Sequence, residues 1–373
     1  MYLLFWVMNK MGIADINMFK ERYDQFDSFF LYGATPAAVE TVALLKKHGK
    51  KIAAFVDRDP LKQSVDFLGY PVIAPATFLQ ASTEAAGVII VSAYQLEIYQ
   101  YLIEEGIDNK RIFPHLDGMF FPTYGAGYVE NPVLQKVLEG LKTLEEKSYF
   151  ETWLSFKETG NYSTLKAMAS IGRQYEHKAW QATIRPGGVC CDVGAYDGVS
   201  SIDFLATGLF DKVVALEPFA KNYDKLLYNI KKNKLGEKLE PRQIALGSCR
   251  ETLWQNTEDV SSRARIVETD GQDQAGQEKI EVFPLDSLGL KNLTALKVDI
   301  EGFELAFLEG AKKTLADYRP HIAISAYHVK SHCIDIIKFF QENFTGFDVR
   351  IGHHPQAVYE LEYYISFTGA KAL

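Results

Sequence analysis

The chain is poor in the features that would mark it for a membrane, a disulfide framework or a nucleic acid. Only four cysteines occur among 373 residues. Two of them, Cys190 and Cys191, are adjacent in an extended apolar run, where neighbouring side chains point to opposite faces. Such spacing supports neither a disulfide framework nor a cysteine metal cluster, and a reducing cytosol is the expected setting. No apolar run approaches the roughly 20 residues of a membrane span. The opening segment, Met1 to Met8, is apolar but short, and it lacks a basic flank and a small-residue cleavage site, so it is expected to pack. Lysine and arginine form no runs, and a net charge of −8 disfavours the broad basic face that a nucleic-acid partner would need. What remains is an ordinary globular composition, 47% hydrophobic and 24% charged, in a chain long enough for two domains.

Residues 28 to 114 alternate strand and helix signals. Ser28 to Gly33 reads as strand and turn, Pro36 to His48 as helix, Lys51 to Asp57 as a second strand and Gly87 to Ser92 as a later, buried one. Gly69 to Pro75 has the punctuation of a short strand between turns. This predicts a small Rossmann-like α/β accessory domain over 1–117. Its first turn, Gly33 to Ala38, keeps only the first glycine of a dinucleotide fingerprint, and Thr35 puts a Cβ where a pyrophosphate would approach. A scaffold without a nucleotide is therefore favoured over nucleotide or nucleotide-sugar binding, with Asp57 as the residue that a surviving site would use. The segment resembles the N-terminal domain of some sugar-modifying enzymes, such as bacterial sugar O-acetyltransferases, through Leu-Tyr-Gly33, Phe-Val-Asp57 and Gly-Tyr-Pro-Val-Ile73. Residues 118–169 read as a helical connector: an irregular aromatic stretch, then helical spacing from Leu134 to Phe156.

The second domain, 170–373, is organised around one β-α-β unit. An apolar run ending at Asp192 leads into a turn containing Gly194 and Gly198, then a helix, then a second apolar run ending in Glu217 and Pro218. Glycines let the backbone turn sharply and approach a ligand closely, and the following helix points free N–H groups at it. An acid about twenty residues further on suits ribose hydroxyls, so an adenosine-type ligand is implied. An amphipathic helix (Asn222 to Lys234) follows. Strands are then expected at 240–246, 279–283, 296–300 and 321–328, with a polar loop at 271–277 and a helix from Phe303 to Tyr318. A helix at 334–344 and two strands, 347–351 and 359–367, close the chain. The link between those strands is short, so they pair antiparallel.

Together these pieces resemble the FkbM family of S-adenosylmethionine-dependent methyltransferases over about 170–367. The resemblance is carried by Gln-Tyr175, by Asp192-Val-Gly194-Ala195-Tyr196-Asp-Gly198-Val-Ser200, by Glu217-Pro218, by Lys297-Val-Asp299-Ile-Glu301-Gly302-Phe-Glu304 and by Tyr327-His328. It implies the class I methyltransferase fold, a mostly parallel seven-stranded sheet in the order 3-2-1-4-5-7-6. It also implies methyl transfer to a hydroxyl, usually of a sugar or polyketide.

Methyl transfer from a sulfonium is an in-line displacement, so the protein mainly positions two reactants and accepts a hydroxyl proton. Asp192, Gly194, Ala195, Tyr196, Gly198, Glu217 and Pro218 are expected around the cofactor. Tyr175 is read as core packing or as a lid over the cofactor, and Asp299 as touching both reactants. Asp299, Glu301 and His328 form the candidate catalytic set, with His328 as base or base relay because its intrinsic pKa lies nearest neutrality, Asp299 orienting the acceptor hydroxyl and Glu301 supporting the geometry. Lys297 is placed near the acceptor. Glu301 and Glu304 have a blander reading as acids at a helix N-terminus, and His353 and His354 as solvated loop residues. Two carboxylates and an imidazole also suit Mg²⁺ or Mn²⁺, although no dedicated metal site is assigned. The acceptor is expected to be a small molecule or glycan with a free hydroxyl. A nicotinamide oxidoreductase and a non-catalytic binding module are the competing classes.

Overall fold

The computed structural model describes residues 18–63, 65–81, 84–92, 94–115, 127–163, 174–256, 277–352 and 360–368. The opening apolar segment, residues 271–276 of the polar loop expected at 271–277 and the pair His353 and His354 lie outside the described residues, and residue 277 begins a strand. The chain divides into two compact units. The first takes 1–139, 143–170 and 354–359, and the second takes 140–142, 171–353 and 360–373.

The first unit is built on strands β1 (Ser28–Tyr32), β2 (Lys51–Val56), β3 (Asp66–Phe67), β4 (Tyr70–Ile73), β5 (Ala86–Ile90) and β6 (Ile112–Phe113). They form one sheet in the order β3-β4-β2-β1-β5-β6, parallel except for the β3–β4 hairpin. Side chains alternate between two apolar layers. Phe29, Leu31 and Phe55 face the helix Ala38–Lys47, while Phe30, Val56, Val88 and Ile90 face a cluster that includes Leu102, Phe156 and Tyr162.

Phe156 belongs to the segment expected to be a connector, which packs into this unit instead. It forms two helices, Pro132–Gly140 and Leu144–Thr159, where the spacing suggests one. The break follows from Thr143, whose side chain and Glu146 form a capping box that starts a new helix. Asp57, at the end of β2, is spent internally: its carboxylate accepts from the Ala34 and Asp59 amides and from Lys62, each at 3.0 Å. Burial alone would raise its pKa, but these donors hold it below the usual carboxylate value.

The second unit holds a seven-stranded sheet. Its members are β7 (Val189–Val193), β8 (Lys212–Leu216), β9 (Leu239–Arg242), β13 (Leu293–Val298), β14 (His321–Ser325), β15 (Phe347–Gly352) and β16 (Glu362–Phe367). The order is β15-β16-β14-β13-β7-β8-β9. Counted along the chain within this sheet, that is 3-2-1-4-5-7-6, with β16 antiparallel to both neighbours. Small residues at the sheet centre, Cys190, Ala215, Ala295 and Ala323, leave room for Trp180 and Tyr364 on one face.

Two expectations need correction here. The stretch 240–246 is not one strand: β9 joins the main sheet, while β10 (Ala245–Leu246) pairs with β12 (Gln277–Phe283), which also pairs with the unanticipated β11 (Glu251–Asn256) in a separate three-stranded sheet. The helix expected from Phe303 to Tyr318 is two, Glu304–Glu309 and Lys312–Tyr318. Gly310 sits at the break, and a Cβ there would lie 2.0 Å from the Gly247 carbonyl oxygen, so the second sheet abuts bare backbone. Among the described residues no helix is long and apolar enough to cross a membrane.

The register sets up everything that follows. Val193 pairs with Leu216 and with Val298, and Val298 pairs with Ile324. The residues that follow these pairs, Gly194, Glu217, Asp299 and Ser325, the last still within β14, therefore lie along one edge. Because Gly310 leaves no room for a methyl group, Gly310→Ala should lower stability by about 1–3 kcal/mol. Urea unfolding measures this, and an unchanged midpoint would show that the two sheets do not need this contact.

Candidate active site

The glycine turn rests on a buried ion pair. Asp192 and Lys297 are opposite one another on β7 and β13, with Asp192 Oδ1 and Lys297 Nζ 3.1 Å apart and both side chains buried. Asp192 Oδ2 accepts hydroxyl hydrogen bonds of 2.6 Å from Ser200 and Ser201, in the first turn of the helix Val199–Ala206. Lys297 also donates to the Gly194 carbonyl at 2.5 Å, and its ammonium lies 5.1 Å from the centre of the Tyr175 ring. Burial disfavours the charged lysine, yet Asp192 and Asp299 together raise its pKa. Asp192 thus lies beneath the turn with both oxygens engaged, and the contact surface of the turn is left to backbone.

That backbone has no spare room. A Cβ on Gly194 would lie 1.9 Å from the Asp299 carbonyl oxygen, and one on Gly198 would lie 2.4 Å from Leu226. Both glycines have φ near +80°, and Tyr196 between them is also left-handed at φ 51°. Ala195 is buried under the turn, and Tyr196 is partly exposed. Glu217 accepts from the Tyr196 amide at 2.9 Å, and from Phe219 N and Asn222 Nδ2 on its other oxygen, which ties the end of β8 to the turn. Burial pushes the Glu217 carboxyl up to about 7 despite these donors.

Asp299 opens the loop after β13. Its Oδ2 accepts from the Tyr175 hydroxyl at 2.6 Å, and that hydroxyl accepts from Gln174 at 2.9 Å. Burial and the neighbouring Asp299 keep the Tyr175 proton on, far above the ordinary phenol range. Tyr175 is packed in the buried core of this unit, as one of its two readings has it, and its hydroxyl also holds a site carboxylate. Glu301 follows at φ 53°, beside Gly302 at φ 113°, a tight left-handed turn of the kind found at functional sites.

His328 is almost fully buried. Its Nδ1 is 2.7 Å from Glu304 Oε1, while its Nε2 faces Asp299 Oδ1 at 3.3 Å and Glu301 Oε2 at 3.5 Å. Burial would lower the imidazole pKa, but Glu304 and then Asp299 and Glu301 carry it up to about 9. A pKa carried up in this way makes His328 a poorer match to the expected role as a base at neutral pH.

Residues 192–347 match the model of the methyltransferase FkbM domain. The second unit belongs to this family. A crystal structure of methyltransferase FkbM from Methylobacillus flagellatus KT is similar over 97% of this chain and 97% of its own, at 17% identity and a TM-score of 0.71, a likeness of fold. A putative tRNA (m1A22) methyltransferase from Streptococcus pneumoniae, solved in complex with S-adenosyl-L-methionine, shares 14% identity over 54% of this chain and 76% of its own, with a TM-score of 0.33. No curated protein sequence matches the chain.

The FkbM domain uses Glu304 in a way its position did not suggest. Read as an acid at a helix N-terminus, it is fully buried and accepts from the Ile300 and Gly302 amides at 3.2 and 3.3 Å, as well as holding His328 and, at 3.0 Å, His332. Burial opposes its charge, but the two histidines hold its pKa far below the usual range. Glu362 escaped the sequence reading altogether. It pairs with Ser325 across β14 and β16, accepts from Tyr364 at 3.0 Å, and is pushed up to about 7, first by burial. No local spacing connects residue 362 to residue 299, so only sheet pairing could have found it.

Removing one partner of a buried ion pair leaves the other charge uncompensated. Lys297→Met should therefore destabilise the domain by about 3–5 kcal/mol, and adding Asp192→Asn should recover part of that loss. Urea unfolding of the two single variants and the double variant measures the coupling, and strict additivity would show the pair to be incidental.

Proposed function

We propose that the FkbM domain transfers a methyl group from S-adenosyl-L-methionine to a hydroxyl of a sugar or glycan precursor. The observation that carries this reading is the alignment of four strand ends. It sets a glycine turn and a buried acid beside a second loop that carries the part-buried carboxylates of Asp299 and Glu301. The residues fit the cofactor: a turn with no room for a Cβ at Gly194 or Gly198, an acid positioned for a ribose, and a helix starting directly after the turn. When bound, S-adenosyl-L-methionine supplies a methyl group already activated by its sulfonium.

The chain's own groups then have separate tasks. The turn Gly194 to Gly198, with Pro218, shapes the cofactor site, and Glu217 accepts from ribose hydroxyls. Asp192 and Lys297 hold that turn from beneath. Tyr175 fixes Asp299, which receives the hydrogen bond of the acceptor hydroxyl, with Glu301 beside it. His328 keeps those two carboxylates in place rather than acting as the resting base. A sugar is favoured as acceptor by the company that the first unit's resemblance keeps, which is analogy.

Hydroxyls donating to Glu217 favour its ionised form, so the carboxyl, raised to about 7 in the free protein, must lose its proton on binding. Affinity for S-adenosylhomocysteine should therefore be nearly full above about pH 8, about half of that at pH 7, and about tenfold lower at pH 6 than at pH 8. Glu217→Gln should remove that dependence. Calorimetric titration across this range is the check, and a flat wild-type profile would overturn the ribose role of Glu217. S-adenosylmethionine at millimolar concentration should also raise the melting temperature; no shift would sink the cofactor reading itself.

A further inference from the structure

We infer that Lys225 and Asn229 are positioning residues for the cofactor turn, holding Tyr196 and Asp197 in the conformation that receives the ligand. The inference deepens the proposed function, since it rests on reading that turn as the S-adenosyl-L-methionine site. Both residues lie on the helix Ala220–Lys232, which follows the Glu217 strand end. Asn222, Lys225, Leu226 and Asn229 fall at i, i+3, i+4 and i+7, the spacing of one helix face. Each of them reaches the turn or the acid beside it. Asn222 Nδ2 donates to Glu217 at 3.3 Å, and Asn229 Nδ2 donates to the Asp197 carbonyl at 2.9 Å. Leu226 packs so closely on Gly198 that a Cβ there would lie 2.4 Å away. Lys225 Nζ donates to the Tyr196 hydroxyl at 3.2 Å, lies 4.7 Å from the centre of that ring, and reaches Asn222 Oδ1 at 3.4 Å.

The turn needs such a face because its backbone conformation is an uncommon one. Tyr196 is left-handed at φ 51° without being a glycine, and a backbone of that kind persists where its surroundings over-determine it. Glu217 takes the Tyr196 amide at 2.9 Å, but one bond to an amide fixes neither the side chain nor the following peptide. Asn229 fixes that peptide by its carbonyl, and Lys225 fixes the ring by a cation–π contact and a hydrogen bond. Because Tyr196 is 38% exposed, burial alone does not hold its ring. A turn set before the ligand arrives spares binding the cost of ordering it, so loosening either contact should cost affinity more than it costs the fold.

The test is calorimetric titration of the full chain with S-adenosylhomocysteine, each variant paired with a urea unfolding curve. Lys225 is exposed, so Lys225→Met should keep its unfolding midpoint while binding weakens roughly threefold to tenfold, the loss of one cation–π contact and its hydrogen bond. Lys225→Arg, which keeps a cation over the ring, should bind as the wild type does. Lys232→Met removes the same charge two turns further along the helix, beside Tyr228, and should leave affinity unchanged. Tyr196→Leu should weaken binding too, and adding Lys225→Met to it should cost nothing further. Asn229→Leu should weaken binding by a similar factor; affinity is read on chains that remain folded, so a loss of stability alone does not move it. Equal affinity of the wild type, Lys225→Met and Asn229→Leu would overturn the inference and leave the cofactor reading intact. An equal loss in Lys232→Met would overturn it as well, by showing a general effect of charge. Absence of binding by the wild-type chain would instead overturn the cofactor reading, and this inference with it.

Discussion

The ion pair between Asp192 and Lys297 is the constraint on which the second unit depends. Two buried charges are tolerable here because further polar contacts support them, Ser200 and Ser201 donating to Asp192 on one side and Lys297 donating to the Gly194 carbonyl on the other. The pair joins neighbouring strands at the height where both are about to end, so it sets the position of the glycine turn, the start of the next helix and the loop of Asp299. Replacement by apolar residues could preserve packing, but it would leave nothing to hold the turn's carbonyl in place.

Above that pair the domain gathers negative charge. Asp299, Glu301, Glu304 and Glu362 converge on one region, offset by Lys297 and by a histidine ring that their fields keep protonated. Concentrating carboxylates in a poorly solvated place is costly, and the His328 imidazole, whose pKa these acids raise, offsets that charge. The glycine turn and Glu217 lie on the adjacent strand ends, so the two reactants of the proposed transfer would meet at one edge of the sheet.

Some of this was legible residue by residue. Gly194 and Gly198 were recognisable because only glycine suits a left-handed turn against another backbone, and Glu217 because an acid at the end of the second strand has a fixed relation to that turn. The Lys297 to Glu304 run marked the second loop. The misreadings have a common source. Gly310 looked like a residue inside one helix, and Leu134 to Phe156 like one helix, because periodicity records which faces are apolar and not where a cap or a backbone contact interrupts the chain. His328 looked like a base because an isolated imidazole titrates near neutrality; Glu304, Asp299 and Glu301 around it change that.

The sequence by itself determined the sheet's strands, its hydrophobic alternation, the glycine turn and the acids that follow the strands, since these depend on local periodicity and on what a backbone can do without a Cβ. Tertiary structure alone decided which charged groups meet. Asp192 turned inward to Lys297, Glu304 was drawn beneath His328, and Glu362 was brought beside the Asp299 region by an antiparallel strand more than sixty residues away. The physical reason is that Coulomb and hydrogen-bond energies act between atoms a few ångströms apart, and those distances are set by sheet register rather than by spacing along the chain.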